Sequence, residues 1–258
     1  MRHTSTKKLF TKPTLKLLSF NIQAGAQTRS YRDYFTKILH PFIFGAHSHH
    51  LDHVGELIHD FDIVALQEVD GGSLRSNYIN QLRYLADRGS FEFHHQQLNR
   101  NWGHFGQFSN ALLSRLVPFK TENHTLPGLK GRGAMLAFYG RPENPLLVVN
   151  IHLALGEKTR NQQLAYLAEQ INRYQHVIIM GDLNCKPEAL LSSPLNNGIL
   201  TFSDDYFPTY PSWDPKHPID HILVSSSIHI KNVQILSAEL SDHKPISAEI
   251  ILPDELMQ

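Results

Sequence analysis

Residues 177–184 have the sequence VIIMGDLN, and this stretch is the best starting point for predicting the fold. Four consecutive apolar residues, three of them β-branched, are followed at once by Gly181, Asp182 and Asn184. A short apolar run that ends in turn-forming residues is typical of a β-strand, and consecutive apolar positions indicate a strand covered on both faces. The stretch therefore predicts a buried strand whose end presents a carboxylate and an amide.

Similar short apolar runs recur on both sides of this stretch. They occupy residues 15–20, 63–66, 111–113, 135–138, 146–151, 222–224, 233–236 and 246–251. Amphipathic helices are expected at residues 78–88 and 159–174, the last with a capping box formed by Thr159 and Gln162. Another helix should carry Leu51, Val54, Ile58 and Phe61 on its buried face. This mixture of strands and helices predicts an α/β fold in which two mixed sheets pack together and helices cover their outer faces.

The composition excludes several classes of protein. The chain has 258 residues, of which 41% are hydrophobic, and its 24 basic residues balance its 24 acidic residues. Disordered and collagen-like chains do not have this composition, and no apolar run is long enough to predict a membrane-spanning helix. Zero net charge argues weakly against a dedicated non-specific nucleic-acid binder, although it does not exclude a local basic groove.

The organisation of the chain points to one domain in a reducing compartment. Cys185 is the single cysteine of the sequence, which excludes an intramolecular disulfide. The basic N-terminus lacks the apolar run of a secretory signal, so a cytoplasmic location is expected, while export without a recognisable signal stays open. Because no Pro/Gly/Ser-rich linker interrupts the sequence, we expect a flexible lead-in at residues 1–14, one catalytic domain at residues 15–258, and a monomer.

A restricted set of polar residues recurs where the predicted strands begin or end. They are Asn21, Glu68, His152, Asp182, Asn184, Asp220, Asp242 and His243. Loops converge at strand ends, so α/β proteins place their sites there. Hard oxygen ligands of this kind suit Mg²⁺, and neither a Cys cluster nor an HExxH motif is present for zinc. Such a cation among carboxylates, amides and histidines suits phosphoester hydrolysis, whereas the missing GxSxG and GxxxxGK[ST] motifs exclude serine-hydrolase and P-loop chemistry.

Seven segments, taken in order, resemble the motifs of the endonuclease/exonuclease/phosphatase superfamily, also called the DNase I-like fold. They are SFNI at 19–22, LQEV at 66–69, SNALLS at 109–114, NIHL at 150–153, GDLN at 181–184, IDHIL at 219–223 and SDHKP at 241–245. Any one motif is weak, and the ordered set over residues 15–251 carries the resemblance. Residues 126–134 and 209–220 look like those of compact bacterial metal-dependent hydrolases of this superfamily, a branch related to the neutral sphingomyelinases.

The resemblance implies a fold and a cofactor. The fold is a four-layer αββα sandwich of two packed mixed sheets with outer helices, and its site lies at one end of the two sheets. The cofactor is a divalent metal, usually Mg²⁺ with Mn²⁺ as a substitute. The residue that chiefly holds this metal would be Glu68, with Asn21 and Asp242 nearby.

The resemblance also implies catalytic roles for five residues. Asp182 would orient or activate the attacking water, and Asn184 would hold the phosphate or that water. His243, polarised by Asp220, would stabilise the negative charge that develops on the phosphoryl group. His152 matches the position of a second catalytic histidine in the nuclease and sphingomyelinase branches.

Four further residues have both a functional and a structural interpretation. Asn110 is a candidate substrate-binding amide or part of a turn at the entry to a strand. Arg132 is a candidate phosphate clamp, because its planar guanidinium suits that geometry, or a surface residue of a Gly-rich turn. Arg160 is expected to anchor a loop rather than contact substrate, and Cys185 is expected to be a buried thiol without a catalytic role.

Alternatives also remain for other segments. Asp182 and Asn184 share a face if the strand continues, but they also fit an Asp-initiated turn, and His152 fits a hydrogen-bonded core histidine. His49 and His53 are one helical turn apart, yet the sequence places no carboxylate or cysteine to complete a metal site with them. The aromatic-rich segment at residues 29–46 is expected either to pack into the core as a helix or to form an apolar rim that receives lipid.

Three functions compete for this set of residues. The leading hypothesis is a Mg²⁺-dependent phosphodiesterase or phosphatase that acts on a small or lipid-linked phosphoester. A DNA or RNA nuclease with the same chemistry is the first alternative. A catalytically inactive binding module is the second, and it ranks last because every acidic and imidazole position that the chemistry needs is present.

Overall fold

The computed structural model describes residues 13–25, 47–128, 130–196, 200–201 and 207–257. In this described part, the strands form two sheets of six strands each. From edge to edge, the first sheet consists of β11 (His229–Ile235), β12 (Ile246–Ile251), β1 (Thr14–Asn21), β2 (Ile63–Asp70), β4 (Gln107–Ser114) and β3 (Phe93–Asn101). Strands β1 and β2 are parallel and the other neighbours are antiparallel, so this sheet is mixed, as predicted.

The second sheet is built on the same plan. From edge to edge, it consists of β5 (Lys120–Thr125), β6 (Gly133–Arg141), β7 (Asn144–His152), β8 (His176–Asp182), β10 (Asp220–Ser225) and β9 (Leu200–Thr201). Its central pair, β7 and β8, is parallel and the other neighbours are antiparallel. Each sheet therefore has one parallel pair near its middle, and the carboxyl ends of that pair lie side by side.

Helices cover the outer faces of both sheets. Helices α1 (His47–Ile58) and α2 (Gln81–Gly89) pack on the first sheet, and α3 (Glu157–Ile171) packs on the second. Two short helices, α4 (Pro187–Leu191) and α5 (Asp254–Met257), follow later in the chain. The resulting order of layers is helices, sheet, sheet, helix, which confirms the predicted αββα sandwich.

Alternating side chains explain why the central strands are apolar at consecutive positions. Leu17 of β1 and Ile178 of β8 point into the core between the two sheets, whereas their neighbours Leu18 and Ile179 pack under the helices. All four side chains have no exposed surface. Successive residues of a strand face opposite sides, so a strand covered on both sides needs apolar residues at every position.

Two predicted helix starts are wrong. Helix α3 begins at Glu157, and its N-cap is Gly156, which makes no side-chain capping bond. Thr159 therefore lies inside the first turn next to Gly128, and the predicted capping box with Gln162 does not form. The predicted helix at residues 78–88 begins only at residue 81, because the Asn80 side chain caps it by accepting a hydrogen bond from the backbone of the next turn.

Strands β3 and β5 were missed because their sequences are polar. β3 reads FHHQQLNRN and β5 reads KTENHT, and both lie at sheet edges, where one side of a strand faces water. The predicted lead-in at residues 1–14 and the aromatic segment at residues 29–46 fall almost entirely outside the described residues. Within the described residues, no helix has the length and apolar character needed to cross a bilayer.

Candidate active site

The strand ends that carry the predicted site residues meet at one edge of the sandwich. In the second sheet, Asp182 at the end of β8 lies opposite both His152 of β7 and Asp220 of β10. In the first sheet, Asn21 ends β1 and pairs with Gln67, the neighbour of Glu68. Because the core packs the two sheets face to face, these ends form one cluster, as expected from polar residues that recur at strand ends.

A β-bulge in β2 shapes the backbone that carries Glu68. The register with β4 shifts between Leu66 and Val69, and Glu68 has a φ of 56°, which is uncommon for a residue other than glycine. The bulge leaves the side chain of Glu68 half-buried beside the cleft, while the strand residues on both sides of it are buried. Backbone strain of this kind is concentrated at functional sites, which fits the predicted role of Glu68.

A buried polar pair joins the two sheets directly beneath this bulge. Asn150 of β7 donates its amide hydrogens to the carbonyl oxygens of Leu66 and Ala111, at 3.0 and 2.8 Å. Gln67 of β2 donates to Oδ1 of Asn150 at 2.9 Å. Neither amide side chain has exposed surface, and their mutual hydrogen bond pairs two buried polar groups, although Oε1 of Gln67 has no partner among the described residues. No sequence pattern predicts this pair.

The residues predicted to bind a metal are linked by amide hydrogen bonds and by the effect of one carboxylate's charge on another. Nδ2 of Asn21 is 3.4 Å from Oε1 of Glu68 and 3.2 Å from Oδ2 of Asp182. Gln23, which sequence analysis missed, donates through Nε2 to Oδ2 of Asp242 at 3.0 Å. Burial raises the pKa of Asp242, and the nearby charge of Glu68 raises it further. A divalent cation would relieve this repulsion, and carboxylate oxygens are the ligands that Mg²⁺ prefers, so the residues fit the cofactor.

In the structure, the Asn21 amide is not oriented to bind a cation through its oxygen. Its nitrogen faces the carboxylates, and its oxygen accepts a hydrogen bond from the backbone of Gln23 at 3.1 Å. The side chain would have to rotate before its oxygen could face a cation. A second group that could hold a metal consists of Asp182, Asp220 and His243, whose ligand atoms all lie within 4.8 Å of one another.

His243 is held as a cation by the carboxylates around it. Its Nδ1 is 2.8 Å from Oδ2 of Asp220, which also accepts a 2.5 Å hydrogen bond from Thr209. Its Nε2 is 3.9 Å from Oδ2 of Asp182. Burial alone would lower the pKa of this imidazole, but the charges of Asp220, Asp182 and Asp242 outweigh burial and raise the pKa well above its ordinary value.

His152 is held in the opposite protonation state. Its Nε2 is 3.3 Å from Oδ2 of Asp182. Burial lowers the pKa of His152 well below its ordinary value, and the positive charges of Arg132 and His243 lower it further. Two buried imidazoles, one neutral and one charged, therefore contact the same carboxylate. His152 is buried and contacts a carboxylate, and its role as a second catalytic histidine stays a prediction.

Asp182 sits at the centre of this arrangement. Burial and the charge of Asp220 raise its pKa to about 7, against the opposing effects of His243, Asn184 and Asn21. Its Oδ2 contacts both imidazoles and the Asn21 amide, whereas its Oδ1 accepts a hydrogen bond from the backbone of Asn184. A carboxylate with this pKa exchanges a proton readily near neutral pH.

Asn184 does not extend the strand face that Asp182 belongs to. Strand β8 ends at Asp182, and Asn184 has a φ of 51°, so the segment forms the Asp-initiated turn that was the alternative prediction. The side chain of Asn184 donates to the carbonyl of Leu153 at 2.9 Å. The amide is half-buried at the edge of the cluster, and its position comes from the turn rather than from strand alternation.

A cleft opens beside Glu68 and His152. Its volume is about 220 Å³, and its lining includes Asn110 and Arg132, the two predicted substrate-binding residues. Asn110 donates to the carbonyl of Gly133 at 2.9 Å, so its amide group is partly committed to the fold. Arg132 is half-buried; burial lowers its pKa, while the carboxylates of Asp182 and Glu68 favour its charged form.

The structure agrees with the predictions for Arg160 and Cys185. Arg160 donates to the carbonyl of Leu155 at 2.7 Å and so anchors a loop. Cys185 is buried, and burial raises the pKa of its thiol to about 12, which leaves no thiolate for nucleophilic attack. In the histidine-rich helix α1, the side chains of His47 and His49 lie outside the described residues, and His53 contacts Glu56 at 3.4 Å on the surface.

Comparison with known proteins gives one family and one fold. The family model described as endonuclease/exonuclease/phosphatase matches residues 18–243. An uncharacterised protein YbhP of Escherichia coli K12 is 29% identical over 222 residues, which cover 74% of this chain and 83% of that protein.

Solved structures match over nearly the whole chain. An endonuclease/exonuclease/phosphatase from Beutenbergia cavernae has a TM-score of 0.72 at 16% identity and covers 94% of this chain and 72% of that one. A mannosyl-6-phosphatase of Bacteroides thetaiotaomicron has a TM-score of 0.70 at 18% identity and covers 92% of this chain and 100% of that one. At these identities the structural matches bear on the fold alone.

Proposed function

Because this chain belongs to the endonuclease/exonuclease/phosphatase family, we propose that it is a divalent-metal-dependent hydrolase of phosphoester bonds. The observation that carries the proposal is the pair of buried imidazoles, one charged and one neutral, that contact Asp182 beside the oxygen ligands of Glu68 and Asp242. A purely structural cluster would not concentrate so many buried titratable groups, since burying each charge has a cost.

The chain's own residues divide the chemistry among them. A cation bound at Glu68 and Asp242 would polarise a phosphoryl oxygen. Asp182, whose pKa is raised to about 7, accepts a proton from the attacking water or holds that water in place. The imidazolium of His243 stabilises the negative charge that grows on the phosphoryl oxygens, and Asp220 keeps that imidazole charged and oriented.

The remaining predicted residues act on the substrate. Neutral His152 donates a hydrogen bond to the phosphoryl group or to the leaving oxygen. Arg132 contributes a guanidinium on the cleft side of the cluster, and the buried Asn110 lines the same cleft. The half-buried Asn184 lies at the edge of the cluster. We propose Mg²⁺ as the metal, with Mn²⁺ as a substitute, and we retain a cytoplasmic monomer as the expected form.

The substrate proposed here is a small or lipid-linked phosphoester. A nuclease is the second candidate, and the observation that favours it is a local group of cations, Arg100, Lys130 and Arg132, along the cleft. A catalytically inactive binding module is disfavoured, because such a module would have no need to hold His243 charged.

The test is a metal-dependence assay with a matched pair of glutamate variants. Purified protein with Mg²⁺ or Mn²⁺ is assayed against nitrophenyl phosphodiesters, nitrophenyl phosphate, sphingomyelin, phosphoinositides, DNA and RNA. Glu68→Ala should lower kcat/KM at least about 100-fold and weaken Mg²⁺ binding in calorimetry, because the metal supplies several kcal/mol of transition-state stabilisation.

Glu143→Ala is the control, since Glu143 is exposed in the turn between β6 and β7 at the opposite end of the sandwich. This variant should retain wild-type turnover and metal affinity. Absence of hydrolysis on every substrate, together with absence of Mg²⁺ binding by the wild-type protein, would contradict the proposal.

A further inference from the structure

The lining of the cleft includes three cations, which together form its basic wall. Arg100, Lys130 and Arg132 belong to the described residues that line it, and Glu68 is the one acidic residue among them. Arg100 lies near the end of β3, and the other two cations lie in the loop that leads into β6. Two separate segments of the chain therefore bring positive charge to the same wall.

The three cations differ in whether a carboxylate of the protein balances their charge. Arg132 is half-buried, and the carboxylates of Asp182 and Glu68 act on its charge. Arg100 and Lys130 are exposed, and within the described residues neither forms an ion pair with a carboxylate. The inner cation is thus balanced by the catalytic cluster, whereas the two outer cations keep their charge for a ligand.

Arg100 is held in place although it is exposed. Its Nη2 donates to the carbonyl of Lys130 at 3.1 Å, and its guanidinium lies 5.3 Å from the centre of the Trp102 ring. Gly131 has a φ of 92°, which favours glycine, and a Cβ atom built on it would be 2.8 Å from Nε of Arg100, so a larger residue would displace the Arg100 side chain. Fixing a long side chain in advance removes part of the entropy cost of binding a ligand.

We propose that Arg100 and Lys130 form a second anion-binding subsite, which recognises a phosphate or other anionic group that the substrate carries beside the phosphoester to be cleaved. This inference rests on the proposed function and deepens it, because it names the substrate class. The site would then prefer a phosphoester with two anionic groups over one with a single anionic group. The guanidinium fork of Arg100 and the ammonium of Lys130 supply the charge-assisted hydrogen bonds.

The recognised anion is short rather than a long polymer. Proteins that bind nucleic acid strands usually carry a basic excess arranged along a stripe, whereas this chain has no net charge and the guanidinium of Arg100 bonds to the backbone of Lys130 within one cleft. One additional anionic group is enough to occupy two cations.

The kinetic test uses two substrates that differ only in a second phosphate. They are thymidine 5′-(p-nitrophenyl phosphate) and the same compound with a 3′-phosphate, and release of nitrophenolate is measured with Mg²⁺. In the wild-type protein the 3′-phosphate should raise kcat/KM about tenfold, chiefly through KM. In the double variant Arg100→Gln/Lys130→Gln this ratio should fall to about one, and Arg100→Lys should restore part of it.

Arg173→Gln is the matched control. Arg173 is exposed beyond the end of α3 and packs over Tyr174, at the opposite end of the sandwich, so its removal should leave the tenfold ratio unchanged. A ratio below about two in the wild-type protein would overturn the inference. A ratio that keeps rising with oligonucleotides of three to six phosphates would also overturn it, since the ligand would then be a strand.

A binding measurement separates this inference from the proposed function. Metal-free protein is titrated by calorimetry with thymidine 3′,5′-bisphosphate and with thymidine 5′-phosphate. The bisphosphate should bind about tenfold more tightly, and the double variant should remove that difference. Equal affinities would overturn the subsite even if hydrolysis is observed, whereas a retained difference without any hydrolysis would contradict the proposed function alone.

Discussion

Strand β8 begins and ends on a buried titratable residue, and its two ends behave differently. At its start, His176 has no exposed surface, and its ring nitrogens contact Ser227 at 2.9 Å and Asn144 at 3.2 Å. Burial lowers the pKa of His176, although the carboxylate of Glu255, 3.7 Å away, acts against this shift. At the other end, Asp182 contacts two imidazoles and lies in the field of Asp220.

The difference distinguishes His176, a structural group, from Asp182, a group with a predicted catalytic role. Around His176, neutral partners satisfy the ring, so the histidine can stay uncharged inside the protein. Around Asp182, like charges are held near one another, and Oδ1 of Asp220 is buried without a hydrogen-bond partner among the described residues. Both side chains are shielded from solvent, and the density of charge around Asp182 is what distinguishes the site.

Removing the negative charge of Asp182 should have the largest effect on kcat. Asp182→Asn keeps the shape of the side chain but cannot accept a proton, so kcat should fall about 10²–10⁴-fold. Because the variant also removes a charge that is costly to bury beside Asp220, its unfolding midpoint in urea should be equal to or higher than that of the wild type. Near-normal turnover would show that Asp182 is not the water-orienting group.

A matched pair of histidine variants should give the next largest contrast. His243→Ala should lower kcat about 10²–10³-fold, equivalent to roughly 2.7–4 kcal/mol of transition-state stabilisation. His176→Ala should leave kcat within about twofold but lower the free energy of unfolding by about 1–3 kcal/mol, because Ser227 and Asn144 lose a buried partner. Both quantities are measured for both variants. If both variants lowered kcat to a similar extent, or if both lowered only the free energy of unfolding, the comparison would be contradicted.

The change in the free energy of unfolding with pH should be smaller than the effects of these variants. His176 and His221 both have pKa values lowered by burial, so each stays neutral in the folded protein while the unfolded chain takes up protons below about pH 6.5. Their contribution to stability is present above that pH and declines as the pH falls, by at most about 1.4 kcal/mol per unit for each group.

The urea unfolding of the wild type and His176→Gln, followed at pH 7.5, 6.5 and 5.5, isolates this contribution. The stability difference between the two proteins should narrow as the pH falls below 6.5, because glutamine does not titrate. A difference that stays constant from pH 7.5 to 5.5 would show that His176 is not held neutral by burial.

Sequence patterns predicted the central strands because burial on both faces demands apolar residues at every position. They failed for β3 and β5, since an edge strand needs no such run, and the missed β3 carries Arg100. They also failed for the start of α3, where Gly156 caps the helix without a side chain and Thr159 is not the cap. Gln23 was not predicted because no periodicity marks a polar residue that contacts a partner far along the chain, and the resemblance over residues 209–220 gave Thr209 no role of its own.

The amino-acid sequence by itself determined which residue types stand at the ends of the central strands, and therefore the chemistry available to the protein. Only the tertiary structure decided that His243 is charged and His152 neutral, and that Asn184 belongs to a turn. The physical reason is that a strand's pattern depends on neighbours within the same segment, whereas a pKa depends on burial and on charges that other segments bring within a few ångströms.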